Sequence, residues 1–112
     1  MSAVITTDEL KKKIDAGAVP YLIDVLAPES YAARHVPGAR SVRKGPDFVE
    51  RFGREVGAPK DAEIIVYCSS SACTASVVSA GQLESAGYTK VVHYKDGLAG
   101  WQAAGYPFES AA

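Results

Sequence analysis

A short apolar strand that ends at a cysteine constrains the fold of this chain more than any other feature. Residues 64–67 are apolar and mostly β-branched, a run typical of a strand that is buried on both faces. Cys68 follows directly, and small uncharged residues occupy positions 69–74. Residues 74–83 then carry apolar side chains at spacings that suit a helix packed on a sheet. The sequence therefore predicts a strand, a small-residue loop and a helix in immediate succession.

This succession favours a reactive thiol at Cys68. Backbone N–H groups of such a loop, and of the helix start that follows it, converge on whatever lies at the end of the strand. They stabilise a thiolate, so we expect the pKa of Cys68 to lie below that of a free cysteine. The alternative is a buried structural cysteine. A core cysteine has no need of a loop made of small residues, and this favours the reactive interpretation.

The rest of the chain alternates between strand and helix patterns. Thr6 and Glu9 have the spacing of a capping box, which predicts a first helix that ends by Gly17. The other predicted segments are strands at 21–26, 39–42, 64–67 and 91–94, and helices at 29–34, 46–56, 74–86 and 98–104. This order predicts an α/β domain with a mostly parallel sheet covered by helices on both faces. In such sheets ligands bind beyond the carboxyl ends of the strands, where Cys68 lies.

Length and composition exclude several classes of protein. We expect residues 1–112 to form a single domain, because a chain of 112 residues supports one core. The net charge of −1 favours neither nucleic-acid nor membrane partners, and no apolar run approaches the roughly 20 residues that span a bilayer. Acids and lysines stand near the N-terminus where a signal peptide has its apolar core, so we expect a cytoplasmic protein. Two cysteines do not make the framework of a disulfide-stapled secreted domain.

Four segments, in order and at matching separations, resemble one known family. They are residues 22–25 with Pro28, Glu29 and Tyr31; residues 35–39, which read His-Val-Pro-Gly-Ala; residues 66–68 with Thr74; and Gly97, Trp101, Gly105, Tyr106 and Pro107. Together they resemble the single-domain rhodaneses, sulfurtransferases that carry persulfide sulfur on a cysteine. The resemblance covers nearly the whole chain. It implies a rhodanese-like sheet of about five strands, a nucleophile at Cys68, and no metal or organic cofactor.

The chain departs from the family pattern at two places. Leu26 stands where the family often has arginine, and Ser69, Ser71 and Cys73 replace residues that are commonly basic or glycine. The loop therefore has no side-chain cation. Thiosulfate is a dianion, and a cation would help to capture it and to stabilise the departing sulfite. We expect thiosulfate to be a poor donor and another sulfur carrier to be the better one.

The predicted site has a catalytic residue, Cys68, and a substrate-binding loop. The loop consists of Ser69, Ser70, Ser71, Ala72, Cys73 and Thr74. Two interpretations of Cys73 stay open: a small buried side chain, or a resolving thiol that attacks the Cys68 persulfide and leaves a Cys68–Cys73 disulfide. The second requires the loop to bring the two Cα atoms within about 7 Å.

Other polar residues receive supporting roles. Asp24, in a buried strand, needs partners and is expected to hydrogen-bond backbone or hydroxyl groups of a neighbouring loop. His35 is expected to order its turn, and His93 to be a satisfied strand histidine rather than an acid or base. No metal site is expected, because the spacing of Cys68 and Cys73 is unusual for zinc and no second close pair of ligands is present.

Three functions fit these residues. The first is a sulfurtransferase with a small-molecule or protein-bound sulfur donor and a thiol acceptor, working as a monomer or weak homodimer. The second is a rhodanese-like binding or regulatory module that has lost catalysis. The third is a cysteine-loop phosphatase or arsenate reductase. It ranks last because phosphoryl transfer would need an arginine fork that the loop does not offer.

Overall fold

Five parallel strands form one sheet in a computed structural model that describes residues 3–19 and 21–110. The strands are β1 (Ala3–Ile5), β2 (Leu22–Asp24), β3 (Arg40–Ser41), β4 (Glu63–Tyr67) and β5 (Lys90–Tyr94). Their order across the sheet is β1-β5-β4-β2-β3, so β4 lies in the middle. The predicted parallel α/β fold is confirmed, and the strand that leads into Cys68 is the central one.

Helices cover both faces of this sheet. They are α1 (Thr7–Asp15), α2 (Pro28–Ala33), α3 (Phe48–Glu55), α4 (Ala75–Ser85) and α5 (Gly97–Ala103). One core cluster contains Phe52 of α3 and Leu83 of α4, and the other contains Leu10 of α1 and Trp101 of α5. Successive side chains of β4 alternate between the two clusters, as the period of a strand requires. This double burial explains why β4 is apolar throughout its last four residues.

The capping box predicted at the start of α1 is confirmed. The Glu9 N–H donates to Thr6 Oγ1 at 3.2 Å, and the Thr6 N–H donates to Glu9 Oε1 at 3.0 Å. These two bonds satisfy N–H groups that have no partner within the helix. After α1 ends, Gly17 adopts a φ of 68°, a left-handed conformation that glycine tolerates better than other residues. Both boundaries of α1 thus follow from local sequence chemistry.

Several boundaries differ from the predictions. β1 was not predicted, because three residues are too few to display an alternating pattern. β2 is shorter than the predicted 21–26: the Leu26 N–H donates to Asp24 Oδ1 at 2.9 Å, which turns the chain. α3 begins at Phe48 rather than at Pro46. None of these differences moves the carboxyl end of β4.

The helices in the described residues are short. The longest, α4, has 11 residues. No helix in this part of the chain combines the length and the apolar character needed to cross a membrane.

Candidate active site

Cys68 lies at the carboxyl end of β4, with only 1% of its surface exposed. Its backbone is held by the start of α5, because the Leu98 N–H donates to the Cys68 carbonyl at 3.2 Å. Next to it, the Ala99 N–H donates to the Ser69 carbonyl at 2.9 Å. Gly97 permits this close approach: its φ is +59°, and a Cβ there would collide with the Cys68 carbonyl oxygen. The sheet and α5 together therefore fix the position of the cysteine.

The Cys68 thiol faces oxygen atoms. Its Sγ lies 3.2 Å from Ser76 Oγ and 3.4 Å from the Cys73 carbonyl oxygen. Burial raises the pKa of Cys68 above its ordinary value, and the neighbouring Cys73 thiol raises it further, while hydrogen bonds from Ser76 oppose both effects. The expectation of a lowered pKa at Cys68 is therefore wrong. Removing the sulfur from water disfavours the thiolate more than the helix start favours it.

The N–H groups predicted to surround Cys68 are divided between the two cysteines: that of Ser76 acts on Cys68, and those of Ser69 and Ala75 act on Cys73. Partial burial of Cys73 raises its pKa, but hydrogen bonds from the Cys68 thiol, the backbone N–H groups of Ala75 and Ser69, and the Ser69 side chain lower it by more. The pKa of Cys73 therefore lies below its ordinary value. Both cysteines are free, and the loop curls back so that the Cys73 carbonyl oxygen lies 3.4 Å from the Cys68 sulfur. Closeness of the two residues is a condition for any reaction between their thiols.

The loop holds its own shape by short-range hydrogen bonds. The Cys73 N–H donates to the Ser70 carbonyl at 3.1 Å, and the Ala72 N–H donates to Ser70 Oγ at 3.3 Å. Ser69, Ser71, Ala72 and Thr74 are exposed, whereas Cys73 is half-buried. Ser70 thus shapes the loop, while the exposed residues form its outer surface.

A hydrogen-bonded pair behind Cys68 was missed by the sequence reasoning. Ser76 Oγ, in the first turn of α4, lies 2.7 Å from Nε2 of His93 on β5, as well as 3.2 Å from the Cys68 sulfur. Burial lowers the pKa of His93, and the charge of Lys95 lowers it further. A signal for Ser76 was present: it begins an i, i+3, i+4, i+7 row with Ser79, Ala80 and Leu83, all buried against the sheet. Alternation along β5 likewise places His93 on the same face as Val91.

Asp24 bonds one backbone N–H and one hydroxyl, and the hydroxyl belongs to the adjacent strand β4 rather than to a neighbouring loop. It is fully buried, and its carboxylate accepts hydrogen bonds from the Tyr67 hydroxyl at 2.8 Å and the Leu26 N–H at 2.9 Å. The Tyr67 hydroxyl in turn accepts from the Val36 N–H at 3.1 Å. Burial raises the pKa of Asp24, although both hydrogen bonds oppose the shift. This network ties β2 and the turn before β3 to the strand that carries Cys68.

His35 orders its turn by contacts on three sides. Its Nδ1 lies 2.8 Å from the Tyr31 carbonyl, and its ring stacks on the Tyr31 ring at 3.9 Å. Its backbone pairs with Glu109 in an antiparallel bridge. The structure therefore places His35 in the support of the turn, while in the described part of the chain the Cys68 sulfur contacts Ser70, Cys73 and Ser76.

Two cavities flank the loop, and each is lined by one positively charged side chain from outside the loop. A cavity of about 500 Å³ is lined by Leu26, Ser30, Ala33, Arg34, Ser69 and Leu98. A second, of about 390 Å³, is lined by Lys44, Gly45, Pro46, Thr74, Ala75, Val78 and Gln82. Arg34 and Lys44 thus bring positive charge to the edges of a loop that has none of its own. Leu26 contributes an apolar wall to the first cavity.

Metal ligands are not grouped in the described part of the chain. Within residues 3–19 and 21–110, no three His, Cys, Asp or Glu side chains lie together in a way that could hold a metal ion. His93 and Cys68 both face Ser76, which leaves a serine hydroxyl between them.

Comparisons with known proteins agree with this geometry. The family described as "Rhodanese-like domain" matches residues 6–104. The putative sulfurtransferase YtwF of Bacillus subtilis is 32% identical over 100 residues, which are 88% of each chain. The HTH-type transcriptional regulator Rv0324 of Mycobacterium tuberculosis is 32% identical over 108 residues, 96% of this chain and 45% of its own. A crystal structure of thiosulfate sulfurtransferase from Pseudomonas aeruginosa superposes with a TM-score of 0.84 at 25% identity, over 99% of this chain and 21% of that one. The chain therefore spans less than half the length of the last two proteins.

Proposed function

The chain belongs to the rhodanese-like domain family, and on that premise we propose that it moves sulfane sulfur through a persulfide on Cys68. The observation that carries the proposal is the position of Cys68: it stands at the carboxyl end of the central strand, beneath a loop of small residues, with its sulfur against Ser76. Sulfurtransferase names among the similar proteins support it.

The proposed reaction has two steps. In the first, the Cys68 thiolate attacks the outer sulfur of a persulfide donor, a new S–S bond forms on Cys68, and the donor leaves as a thiolate. In the second, the thiolate of an acceptor attacks the outer sulfur of the Cys68 persulfide, and Cys68 leaves as thiolate. No net oxidation or reduction of the protein occurs over the cycle. The donor and the acceptor are small-molecule or protein-bound sulfur carriers.

We further propose that persulfides and polysulfides are better donors than thiosulfate. The loop lacks a cation, so none of its side chains can offer a charge-assisted hydrogen bond to an arriving dianion. Arg34 and Lys44 line the flanking cavities rather than the loop itself. A persulfide donor releases a thiolate instead of sulfite, so it needs less stabilisation of a departing dianion.

Intact mass spectrometry tests both parts of the proposal. The fully reduced protein is exposed separately to a cysteine persulfide donor, to polysulfide and to thiosulfate at equal sulfane-sulfur concentration. We expect a gain of one sulfur atom, fastest with the first two donors. Loading that is fastest with thiosulfate would contradict the donor preference. No gain with any donor would contradict the sulfurtransferase itself.

A binding or regulatory module is the second candidate. It is favoured by the burial of Cys68, which has 1% of its surface exposed and a raised pKa. One similar protein is named a transcriptional regulator, and this chain matches less than half of it. Under this candidate the cysteine would stay unloaded with all three donors, so the same experiment separates the two functions.

The position of Cys73 on the loop that curls over Cys68 leads to a prediction about Cys73. If Cys73 is a resolving thiol, its thiolate attacks the inner sulfur of the Cys68 persulfide, a Cys68–Cys73 disulfide forms, and hydrosulfide leaves. The two thiols lose the electrons that reduce the sulfane sulfur to sulfide, so a thiol reductant is needed for turnover. Proximity gives the intramolecular attack a high effective concentration. We expect single-loaded protein to release sulfide and lose both thiols together.

Cys73→Ser provides the comparison for this prediction. The variant keeps a small polar side chain on the loop but cannot form the disulfide. After donor removal, sulfide release and free thiols are followed in both proteins. A persulfide that is equally long-lived in the two proteins would mean that Cys73 takes no part in resolution.

A further inference from the structure

Cys68, Ser76 and His93 form a continuous chain of polar atoms that runs from the strand end to the neighbouring strand. Ser76 Oγ lies 3.2 Å from the Cys68 sulfur and 2.7 Å from His93 Nε2. The 2.7 Å between Ser76 Oγ and His93 Nε2 lies at the short end of the range for hydrogen bonds between nitrogen and oxygen. Ser76 is buried and His93 is half-buried, and both distances are those of direct contacts.

From this geometry we infer that Ser76 relays the Cys68 thiol proton to Nε2 of His93. The inference deepens the proposed sulfur transfer and rests on it for its biological use. Ser76 touches the reacting sulfur, whereas His93 acts through Ser76 and is a positioning residue that holds the proton. Neither was assigned such a role from the sequence.

The proton transfer balances without any other reactant. The Cys68 S–H bond breaks as its proton passes to Ser76 Oγ, and the hydroxyl proton of Ser76 passes to His93 Nε2. The products are a Cys68 thiolate, an intact serine and an imidazolium. The relay uses the imidazole tautomer whose own proton is on Nδ1, since Nε2 must accept. When the persulfide later gives up its outer sulfur, the imidazolium can return the proton to Cys68.

The surroundings explain why such a relay is useful. Burial raises the pKa of the Cys68 thiol and lowers that of His93, so neither ion forms readily alone. The groups that face the relay are the thiol of Cys73 beside Cys68 and the ammonium of Lys95 near His93. In the sheet, His93 lies between Val4 and Val66, neither of which ionises. The first turn of α4 carries no acidic and no basic residue.

The test measures how fast Cys68 is alkylated by iodoacetamide as a function of pH. Cys73→Ser is used as the background, so that the mass increase reports Cys68 alone. We expect the rate to rise as pH passes the pKa of His93, below the ordinary value of about 6.5, because neutral imidazole accepts the proton. A shoulder should follow, and a second rise should appear when the thiol ionises without help.

Ser76→Ala and His93→Gln, each in that background, should remove the first rise. We expect each to lower the rate near pH 7 by at least about tenfold, since positioned bases typically contribute 10²- to 10⁴-fold. At high pH, where the thiolate forms unaided, the rates should converge with that of the background protein. The double variant should lose no more than either single one, because both act in one chain.

Ser79→Ala is the matched control. Ser79 is buried on the same face of α4, and its hydroxyl has no hydrogen-bond partner among the described residues, so its removal should leave the profile unchanged. Thermal unfolding of each variant checks the fold. Identical profiles in all proteins, additive losses in the double variant, or a loss that persists at high pH would overturn the relay. Because alkylation needs no sulfur donor, failure of the relay is distinguishable from failure of sulfur loading.

Discussion

Replacing Cys68 by Ser is expected to abolish sulfur loading from a persulfide donor. A serine hydroxyl at this position keeps the contacts with Ser76 and the Cys73 carbonyl, but it is a far weaker nucleophile than a thiolate and cannot form a persulfide. The protein should fold normally, since the change replaces one small polar side chain by another in the same cavity. Intact mass after exposure to the donor measures the effect, and equal melting temperatures verify the fold.

Cys73→Ser is the matched control for this loss, because it removes the other thiol on the same loop. This variant should still gain one sulfur atom, since Cys68 and Ser76 remain in place. The pKa of Cys73 is lowered and that of Cys68 is raised, so Cys73 is the more acidic thiol of the resting protein. The two variants therefore test whether sulfur is loaded on the less acidic thiol, Cys68. Equal loading of the Cys68→Ser protein, with loss of loading in Cys73→Ser, would transfer the nucleophile's role to Cys73.

Replacing Cys73 by Arg is expected to raise kcat/KM for thiosulfate by roughly 10- to 100-fold. A hydrogen bond to a charged group contributes about 1.5–3 kcal/mol, and each ~1.4 kcal/mol changes a rate constant tenfold. Cys73 is half-buried and lies two residues before α4, where a long side chain can reach solvent and the incoming dianion. Steady-state kinetics with thiosulfate and with a persulfide donor measure the change, and the gain should be confined to thiosulfate.

Cys73→Gln separates charge from shape in this experiment. It also lengthens the side chain and removes the second thiol, but it adds no charge. The gain with Arg should shrink as ionic strength rises, because salt screens exposed charges, while the Gln variant should show neither gain nor salt dependence. Equal gains in the two variants would mean that loop shape, rather than charge, limits the use of thiosulfate.

The architecture and the location of the site could be predicted because they depend on local patterns. The apolar run of β4, the capping box of Thr6 and the small-residue loop are visible over a few residues each. Parallel strands then place Cys68 at the ligand-binding edge whatever the details of packing. The three-residue β1 escaped prediction because a strand this short is defined by its pairing with β5 rather than by its own sequence.

The electrostatics of the site could not be predicted in the same way. The direction of the Cys68 pKa shift depends on how completely the sulfur is removed from water, which is a property of the packed loop. Ser76 and His93 are 17 positions apart, and only the docking of α4 on β5 brings their side chains together. Arg34 and Lys44 likewise line cavities at the edges of the loop but belong to other segments, so the sequence of the loop gives no sign of them.

A single-turnover experiment with isotopically labelled sulfane sulfur tests the central claim most directly. Reduced protein receives one equivalent of a heavy-sulfur persulfide donor and, after removal of excess donor, an acceptor thiol. Peptide mass spectrometry follows the label at each stage. We predict that the label appears first on the peptide that contains Cys68 and then, at the same rate as it leaves that peptide, on the acceptor. If the label reaches the acceptor without ever appearing on the Cys68 peptide, sulfur does not pass through a Cys68 persulfide.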